Sequence, residues 1–214
     1  VQLDKVNSES VDISWNQVIN YFGESEVEDI INLFRTSNSD IHDNYLQGAY
    51  PLTASSGFSG SGIMVGDYGG NNNMVHDNQI ISTTNVGIGI AGGSGNSVYK
   101  NTIISDGKND NGETLKAANV GIYVWNINNS NEFGSNSAYN NYIGWMNAAG
   151  NRNDWWLPNC SINCQNFKLS GSIDKSTKSL EFSKWIDKLK KNGMSIGAKT
   201  PLPPLIINGS SSVP

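Results

Sequence analysis

One short motif recurs five times along the chain: an apolar residue, two variable residues, Asn, one variable residue and a second apolar residue. Its asparagines are Asn16, Asn44, Asn78, Asn101 and Asn141, so successive motifs are 28, 34, 23 and 40 residues apart. A unit repeated at such intervals indicates an architecture in which each unit is buried by stacking on its neighbours. We interpret each interval as one coil of about 23 residues, lengthened in places by a loop.

A second apolar segment precedes most of the motifs. Its four copies are residues 30–34, 62–66, 87–91 and 121–125. In these segments apolar residues alternate with glycine or polar residues, which is the period of two typical of strands. Clusters of Gly, Asn and Ser, such as residues 69–73 and 92–96, separate the segments and predict turns.

The repeated asparagine has a physical explanation if the coils stack. Equivalent positions on stacked strands lie about 4.8 Å apart. Because an Asn side chain both donates and accepts, a column of asparagines can bond along the stack. Asn also tolerates the left-handed backbone of a tight corner.

This pattern resembles the asparagine ladder of the pectate-lyase-like superfamily, over residues 11–143. The resemblance implies an all-β fold, a single-stranded right-handed parallel β-helix. A β-sandwich or propeller is the competing architecture. A sandwich would show hairpin turns of two to five residues and no fixed register of one residue type.

The C-terminal part of the chain has a different pattern. Phe182, Trp185, Ile186 and Leu189 recur at helical spacing and predict an amphipathic helix over residues 180–192. Ser179 is the candidate N-cap, and Gly193 stands where a left-handed C-terminal glycine belongs. We expect this capping helix to cover the open end of the β-helix, where strand edges would otherwise be unpaired.

The domain organisation follows from these patterns. Residues 1–170 are expected to form the coils, 171–198 the region of the cap helix, and 199–214 a linker-like tail rich in proline and serine. Val1-Gln2-Leu3 reads as a strand already inside a coil, so we expect the chain to lack N-terminal coils of a larger protein.

Charge and cysteine content narrow the classes of function. The formal net charge is -5 and the pI about 4.9, which disfavours nucleic acid or an anionic membrane as a partner. No apolar run is long enough to span a bilayer. Cys160 and Cys164 either form a small disulfide, which would suit secretion, or remain two free thiols.

If the coils stack, equivalent positions of the motif lie above one another and form columns on the surface. The position two before each ladder Asn is occupied by Ser14, His42, His76, Tyr99 and Tyr139. The position just before it is occupied by Trp15, Asp43, Asp77, Lys100 and Asn140. We expect the first column to point outward and its two histidines to lie on adjacent coils, roughly 5 Å apart.

These columns contain the candidate catalytic residues. His and Tyr commonly transfer protons near neutral pH. Asp43 and Asp77 at the same separation would suit a retaining glycosidase or would bind Ca²⁺, although no cofactor is required. The alternative is that His-Asp before Asn is only what the coil tolerates at an exposed corner.

The segment Asp40-Ile41-His42-Asp43 also resembles the Asp-Pro-His-Asp motif of mannuronan C5-epimerases, with Ile41 in place of the proline. The resemblance implies proton transfer at C5 of a uronate. In a lyase or an epimerase reaction we expect His42 or His76 to be the base and Tyr99 the acid. We expect Lys100 or Arg35 to neutralise the substrate carboxylate.

Aromatic residues late in the chain are candidates for substrate binding. They are Tyr123, Trp125, Trp155 and Trp156, the last two within a predicted long loop of residues 147–164. Exposed aromatic faces stack on sugar rings, with polar groups nearby to bond hydroxyls. The alternative is that the tryptophans pack beneath the loop and the C-terminal helix.

Taken with the fold, these residues predict a secreted or cell-surface protein that acts on a long polysaccharide, expected to be acidic, by β-elimination, epimerisation or hydrolysis. The alternative is a non-catalytic glycan-binding protein, an adhesin shaft or a phage tailspike, the last expected to be a homotrimer. Expected partners are a polysaccharide and further coils or domains of the same protein.

Overall fold

The structure is a computed structural model and describes residues 1–7, 10–57 and 59–195. Within these ranges six successive coils contribute 17 strands, and one helix follows them. The first three coils are β1 (Gln2–Asp4), β2 (Val11–Ser14), β3 (Gln17–Ile19); β4 (Asp29–Phe34), β5 (Ser39–His42), β6 (Tyr45–Gln47); and β7 (Ser61–Asp67), β8 (Met74–His76), β9 (Gln79–Ile81). The last three are β10 (Val86–Ile90), β11 (Ser97–Tyr99), β12 (Thr102–Ser105); β13 (Val120–Val124), β14 (Ser137–Tyr139), β15 (Tyr142–Trp145); and β16 (Trp155–Trp156), β17 (Phe167–Lys168). The helix is α1 (Lys175–Lys191).

The strands form three sheets, each taking one strand from successive coils. The first sheet has the order β1-β4-β7-β10-β13-β16, the second β2-β5-β8-β11-β14, and the third β3-β6-β9-β12-β15-β17. Neighbouring strands within each sheet are parallel, which two-stranded hairpins cannot produce. The arrangement fits a parallel β-helix and rules out the antiparallel sandwich.

The predicted asparagine ladder is present at the corner between the second and third sheets. Nδ2 of Asn44 donates to Oδ1 of Asn78 at 2.9 Å, Asn78 bonds Asn101 in the same way at 3.0 Å, and Asn101 bonds Asn141 at 2.9 Å. Each Oδ1 also accepts the backbone N–H of the preceding rung. These four side chains are buried, so the ladder satisfies polar groups that would otherwise lack partners.

Two parts of this bonding were not foreseen. Asn166 is a further rung, accepting from Asn141 at 2.8 Å, and it belongs to the sixth coil. A second ladder of Asn73, Asn96 and Asn136 lines the corner between the first and second sheets. Each of these three stands five residues before a rung of the first ladder, a regularity already visible in the sequence.

The left-handed corner residue is not the ladder Asn, as we had expected, but the residue before it. Positive φ angles of 52° to 59° occur at Trp15, Asp43, Asp77, Lys100 and Asn140. The chain turns at this residue, and the following Asn bonds the neighbouring coils. The left-handed conformation and the ladder hydrogen bonds, both expected of the Asn, therefore belong to two adjacent residues.

The interior of the coils is filled by aliphatic side chains in stacked rows. One row of the second sheet consists of Ile13, Ile41, Val75, Val98 and Ala138. Four of these five are fully buried in the main core, and Ile13 of the first coil packs against it. Because apolar residues hold the same register in each coil, the residue after each of them faces outward.

Helix α1 begins earlier than predicted and lies in a different place. Its N-cap is Asp174, whose carboxylate accepts from the N–H groups of Ser176 and Thr177, so Ser179 lies inside the helix. The apolar stripe did not indicate this start because the first turn of the helix lies N-terminal to the stripe. At the other end, Gly193 has the predicted left-handed conformation, with φ of 65°.

The helix packs along the outer face of the third sheet rather than over an open end. Trp185 is buried between Trp15 and Tyr45, and its Nε1 donates to Gln17 at 2.8 Å. Outward-facing residues of this sheet, including Ile81 and Ile104, are apolar and fully buried. A sheet that is apolar on both faces needs a cover, and the stripe of α1 supplies it.

The long loop predicted after the fifth coil is shorter than expected. Trp155 and Trp156 form strand β16, which pairs with Ile122 and Tyr123 of β13. Cys160 and Cys164 form a disulfide in the segment that follows. The predicted linker-like tail, 199–214, lies outside the described residues.

Candidate functional site

The His–Tyr column, defined as His42, His76, Tyr99 and Tyr139, lies on the outer face of the second sheet. The register pairs His42 with His76, His76 with Tyr99, and Tyr99 with Tyr139, as the motif predicted. The rings are stacked, with successive centroids 5.1, 4.7 and 5.2 Å apart. Since His76 and Tyr99 have a ring on each face, they present ring edges rather than ring faces to solvent.

Carboxylates bracket both histidines. Nδ1 of His42 lies 2.7 Å from Oδ2 of Asp43, and its Nε2 lies 3.3 Å from Oδ2 of Asp12. For His76 the corresponding distances are 2.8 Å to Asp77 and 2.9 Å to Asp40. Each imidazole therefore lies between the carboxylate that follows it in sequence and one from the preceding coil.

These contacts set the proton affinity of the column. Burial disfavours the protonated form of His42, but the hydrogen bonds with Asp43 and Asp12 outweigh it and raise the pKa of the imidazole. Burial, together with the negative charge of Asp40, raises the pKa of the Tyr99 phenol. Tyr99 therefore carries its proton at neutral pH but is a weaker acid than an ordinary tyrosine.

Lys188 joins helix α1 to this corner. Its Nζ lies 2.5 Å from Oδ1 of Asp43 and donates to the carbonyl oxygen of Asp77 at 2.8 Å. Burial opposes ionisation of Asp43, but the hydrogen bonds from Lys188 and His42 outweigh it and lower the pKa of the carboxyl. Asp43 is thus held as a carboxylate that links the column to the helix.

The two cations predicted to neutralise a substrate carboxylate lie in different places. Lys100 directly follows Tyr99 at the corner between the second and third sheets and is exposed. Arg35 follows β4 at the turn into the second sheet, and its guanidinium lies over the rings of Phe34 and Tyr68 at 5.0 and 5.7 Å. Of the two, only Lys100 adjoins the column.

The predicted aromatic residues lie on strands β13 and β16 of the first sheet, or directly after β13, whereas the column lies on the second sheet. The rings of Trp125 and Trp156 lie 5.3 Å apart and are 39% and 47% exposed. Tyr123 is buried beside them, above Gly89, and its hydroxyl contacts Sδ of Met64 at 3.1 Å.

Trp155 differs from its neighbours in facing the core. It packs against the main core, with Nζ of Lys168 5.3 Å from its ring. Trp125 and Trp156 are therefore the tryptophans of this group that expose the most ring area.

The predicted site did not include Asp12, Asp40 or Lys188, although Asp40 begins the Asp40-Ile41-His42-Asp43 motif. Asp12 and Asp40 stand two residues before Ser14 and His42, in register with each other, so the motif register contained a signal for both. Lys188 is distant in sequence and reaches Asp43 only because α1 packs on the third sheet. No local pattern indicates that contact.

The chain matches no protein-family model, and comparisons with curated proteins and with solved structures give no match either. Over residues 1–7, 10–57 and 59–195, no three or more His, Cys, Asp or Glu side chains are grouped to hold a metal ion. In the same part of the chain no helix is long and apolar enough to cross a membrane. We therefore infer function from the geometry of the His–Tyr column and of the predicted aromatic residues.

Proposed function

We propose that this chain is a secreted, carbohydrate-active right-handed parallel β-helix of the pectate-lyase-like type. It acts on a long polysaccharide by proton transfer at the His–Tyr column, as a lyase or an epimerase. The observation that carries the proposal is the stack of His76 on Tyr99, with Asp40 and Asp77 on the two imidazole nitrogens. Right-handed crossovers are the rule for parallel strands in one sheet.

The chemistry divides between a base and an acid. When Asp40 moves aside, Nε2 of neutral His76 can accept the C5 proton of a uronate, and Asp77 stabilises the imidazolium that forms. In β-elimination the bond to the leaving oxygen at C4 then breaks, and Tyr99 protonates that oxygen. In epimerisation Tyr99 instead returns a proton to the opposite face of C5.

The charge of the substrate is part of the proposal. The uronate carboxylate must be neutralised for its neighbouring C–H bond to lose a proton, and Lys100 is the cation beside Tyr99. We assign Arg35 to binding a more distant uronate of the polysaccharide. Its guanidinium is stacked on Phe34 and Tyr68, at the end of β5 opposite to the corner.

The hydrolase version has weaker support. A retaining glycosidase needs one carboxylate free to attack and another that holds a proton. The two oxygens of Asp43 contact Lys188 and His42, and its pKa is lowered, which is unsuited to a general acid. Because both carboxylate oxygens of Asp43 already contact His42 and Lys188, Asp43 is poorly placed to bind Ca²⁺.

A screen of product release tests the proposal. The full chain is incubated with uronate-containing and neutral polysaccharides, and unsaturated sugar, reducing ends and uronate stereochemistry are measured. We expect unsaturated product or inversion at C5 from a uronate polymer, and a loss of at least about 100-fold in His76→Ala. Tyr142→Phe, at an exposed tyrosine of the third sheet, is the control. Full activity in His76→Ala and His42→Ala would refute the assignment, and reducing ends without unsaturation would favour hydrolysis.

Non-catalytic glycan binding is the second candidate. It is favoured by the carboxylates that lie within 3.3 Å of all four histidine nitrogens, three of which make hydrogen bonds with them. In that case the exposed Trp125–Trp156 pair provides the stacking surface. Trp156→Ala should then weaken polysaccharide retention in affinity electrophoresis without product formation. Sedimentation of a monomer would contradict the tailspike version, which requires a trimer.

Secretion is proposed from the disulfide. Cys160 and Cys164 are bonded, and such bonds persist mainly in oxidising compartments. Thiol titration of the chain purified under non-reducing conditions from its natural host tests this point. Two reactive thiols per folded chain would contradict it.

A further inference from the structure

A cleft of about 830 Å³ lies between the first half of α1, the loop of residues 106–112 and the outer face of the third sheet. Tyr45 and Ile81 form a buried apolar floor, and Phe182 of the helix meets Tyr45 edge to face at 5.3 Å. Tyr21 stands at the mouth and is 60% exposed. The volume falls within the range of small-molecule pockets, about 300–1,000 Å³.

The rim of the cleft is polar and electrically balanced. Its charged groups are Asp106, Asp110 and Asp174 against Lys108, Lys175 and Lys178. Lys178 and Asp106 neutralise each other across the cleft at 2.8 Å. Asp110 accepts from the hydroxyl of Tyr50 and from the N–H of Phe22. Such a rim offers hydrogen bonds without a net charge to attract an ionic ligand.

We propose that this cleft binds a short, neutral oligosaccharide. Ile19, Tyr21 and Phe182 line the cleft and are at least partly exposed, so they suit the C–H faces of pyranose rings, while amide, hydroxyl and carboxylate groups of the rim suit sugar hydroxyls. The balanced charge distinguishes this ligand from the uronate polymer proposed for the His–Tyr column. The cleft is lined by the third sheet and α1, whereas the column lies on the second sheet.

The site does not depend on the proposed catalysis. None of the residues of the His–Tyr column lines the cleft. A chain that releases no product can therefore still bind a neutral oligosaccharide, and an active chain can fail to do so. The two proposals fail separately.

Amide NMR spectra of the full chain, titrated with neutral cello-, manno-, xylo- and malto-oligosaccharides and with oligogalacturonides, test the proposal. We expect saturable shifts around Tyr21, Lys108 and Phe182 with at least one neutral series. Ser183→Trp, at an exposed position lining the cleft, should weaken that affinity at least about tenfold. Lys191→Trp places the same side chain in the last turn, away from the cleft, and should leave the affinity unchanged.

Three results would overturn the proposal. They are no saturable shift with any neutral series, tighter binding of the oligogalacturonides than of every neutral one, and equal affinity in Ser183→Trp and the wild-type chain. Thermal unfolding of both variants checks that they remain folded. In His42→Ala/His76→Ala the cleft should keep its wild-type affinity, whatever happens to product formation.

Discussion

The imidazole rings of His42 and His76 lie parallel, with centroids 5.1 Å apart and an interplanar angle of 4°. Two imidazolium ions at this separation would repel each other. The repulsion is offset because each ring contacts two carboxylates, one of them from the preceding coil. The repeated register thus places two histidines on adjacent coils. It also places Asp12 and Asp40 in register, and each of these contacts the histidine of the following coil.

The pH dependence of stability follows from His42. Its pKa in the folded chain is raised above the ordinary 6.5, so folding favours the protonated form. This contribution to stability is fully present below pH 6.5 and is lost as pH rises through the folded-state pKa. We expect the advantage in Tm of wild type over His42→Gln to be larger at about pH 5.5 than at about pH 8.5.

An NMR titration of the His42 ring checks the cause. Its midpoint should lie above 6.5 and should fall in Asp43→Asn, because that carboxylate provides the main opposing contribution to burial. A midpoint at or below 6.5 in wild type would show that desolvation outweighs the carboxylates.

Lys188 should hold the C-terminal half of α1 against the corner between the second and third sheets. Lys188→Met keeps most of the side-chain stem but removes the contacts with Asp43 and the Asp77 carbonyl. We expect a loss of about 1–3 kcal/mol in the free energy of unfolding and a rise in the pKa of Asp43. Urea denaturation and carboxyl titration by NMR measure the two effects.

Lys190→Met is the matched control for that experiment. Lys190 pairs with Asp187 at 3.6 Å on the same helix, but both side chains are exposed, so the change should cost less than about 1 kcal/mol. Equal losses in the two variants would mean that the contacts of Lys188 add nothing beyond a surface ion pair.

The position of an Asn along the ladder should determine how much it contributes to the free energy of unfolding. Asn78→Ala removes bonds to Asn101 and the carbonyl of Ile41 and leaves the buried N–H of Asn44 without its acceptor. A loss of about 2–4 kcal/mol is expected in urea denaturation. Asn16→Ala, at the exposed first rung, removes a bond to Asn44 and should cost about 1 kcal/mol. A larger loss at Asn16 would contradict the ladder as a buried network.

The disulfide should act locally. It closes a loop of four-residue separation, for which chain entropy predicts at most about 2 kcal/mol of stabilisation. In Cys160→Ser/Cys164→Ser, amide exchange should accelerate around Gln165 and Asn166 but not at Ile103 in the fourth coil. Loss of protection throughout the coils would show that the sixth coil holds the others together.

The sequence was most informative where one coil repeats another. The rungs at Asn44, Asn78 and Asn101 and the alignment of His42 with His76 follow from spacing alone, because stacked parallel strands preserve register. The sixth coil escaped notice because β16 and β17 have two residues each and lack the full motif. The start of α1 was misplaced because Asp174 precedes the apolar stripe by eight residues.

By itself the sequence determined the stacking of coils, the asparagine ladder and the identity of the outward column, since all three follow from a motif that is repeated once per coil. Tertiary structure alone decided that α1 lies on the third sheet, that Lys188 meets Asp43, and that a cleft opens beside Tyr45. These contacts join residues that are 72 to 168 positions apart and share no sequence pattern, so they depend on complementary shape and charge. A repeat specifies its own register, but a helix with no copy in the repeat is placed by the apolar surface available to it.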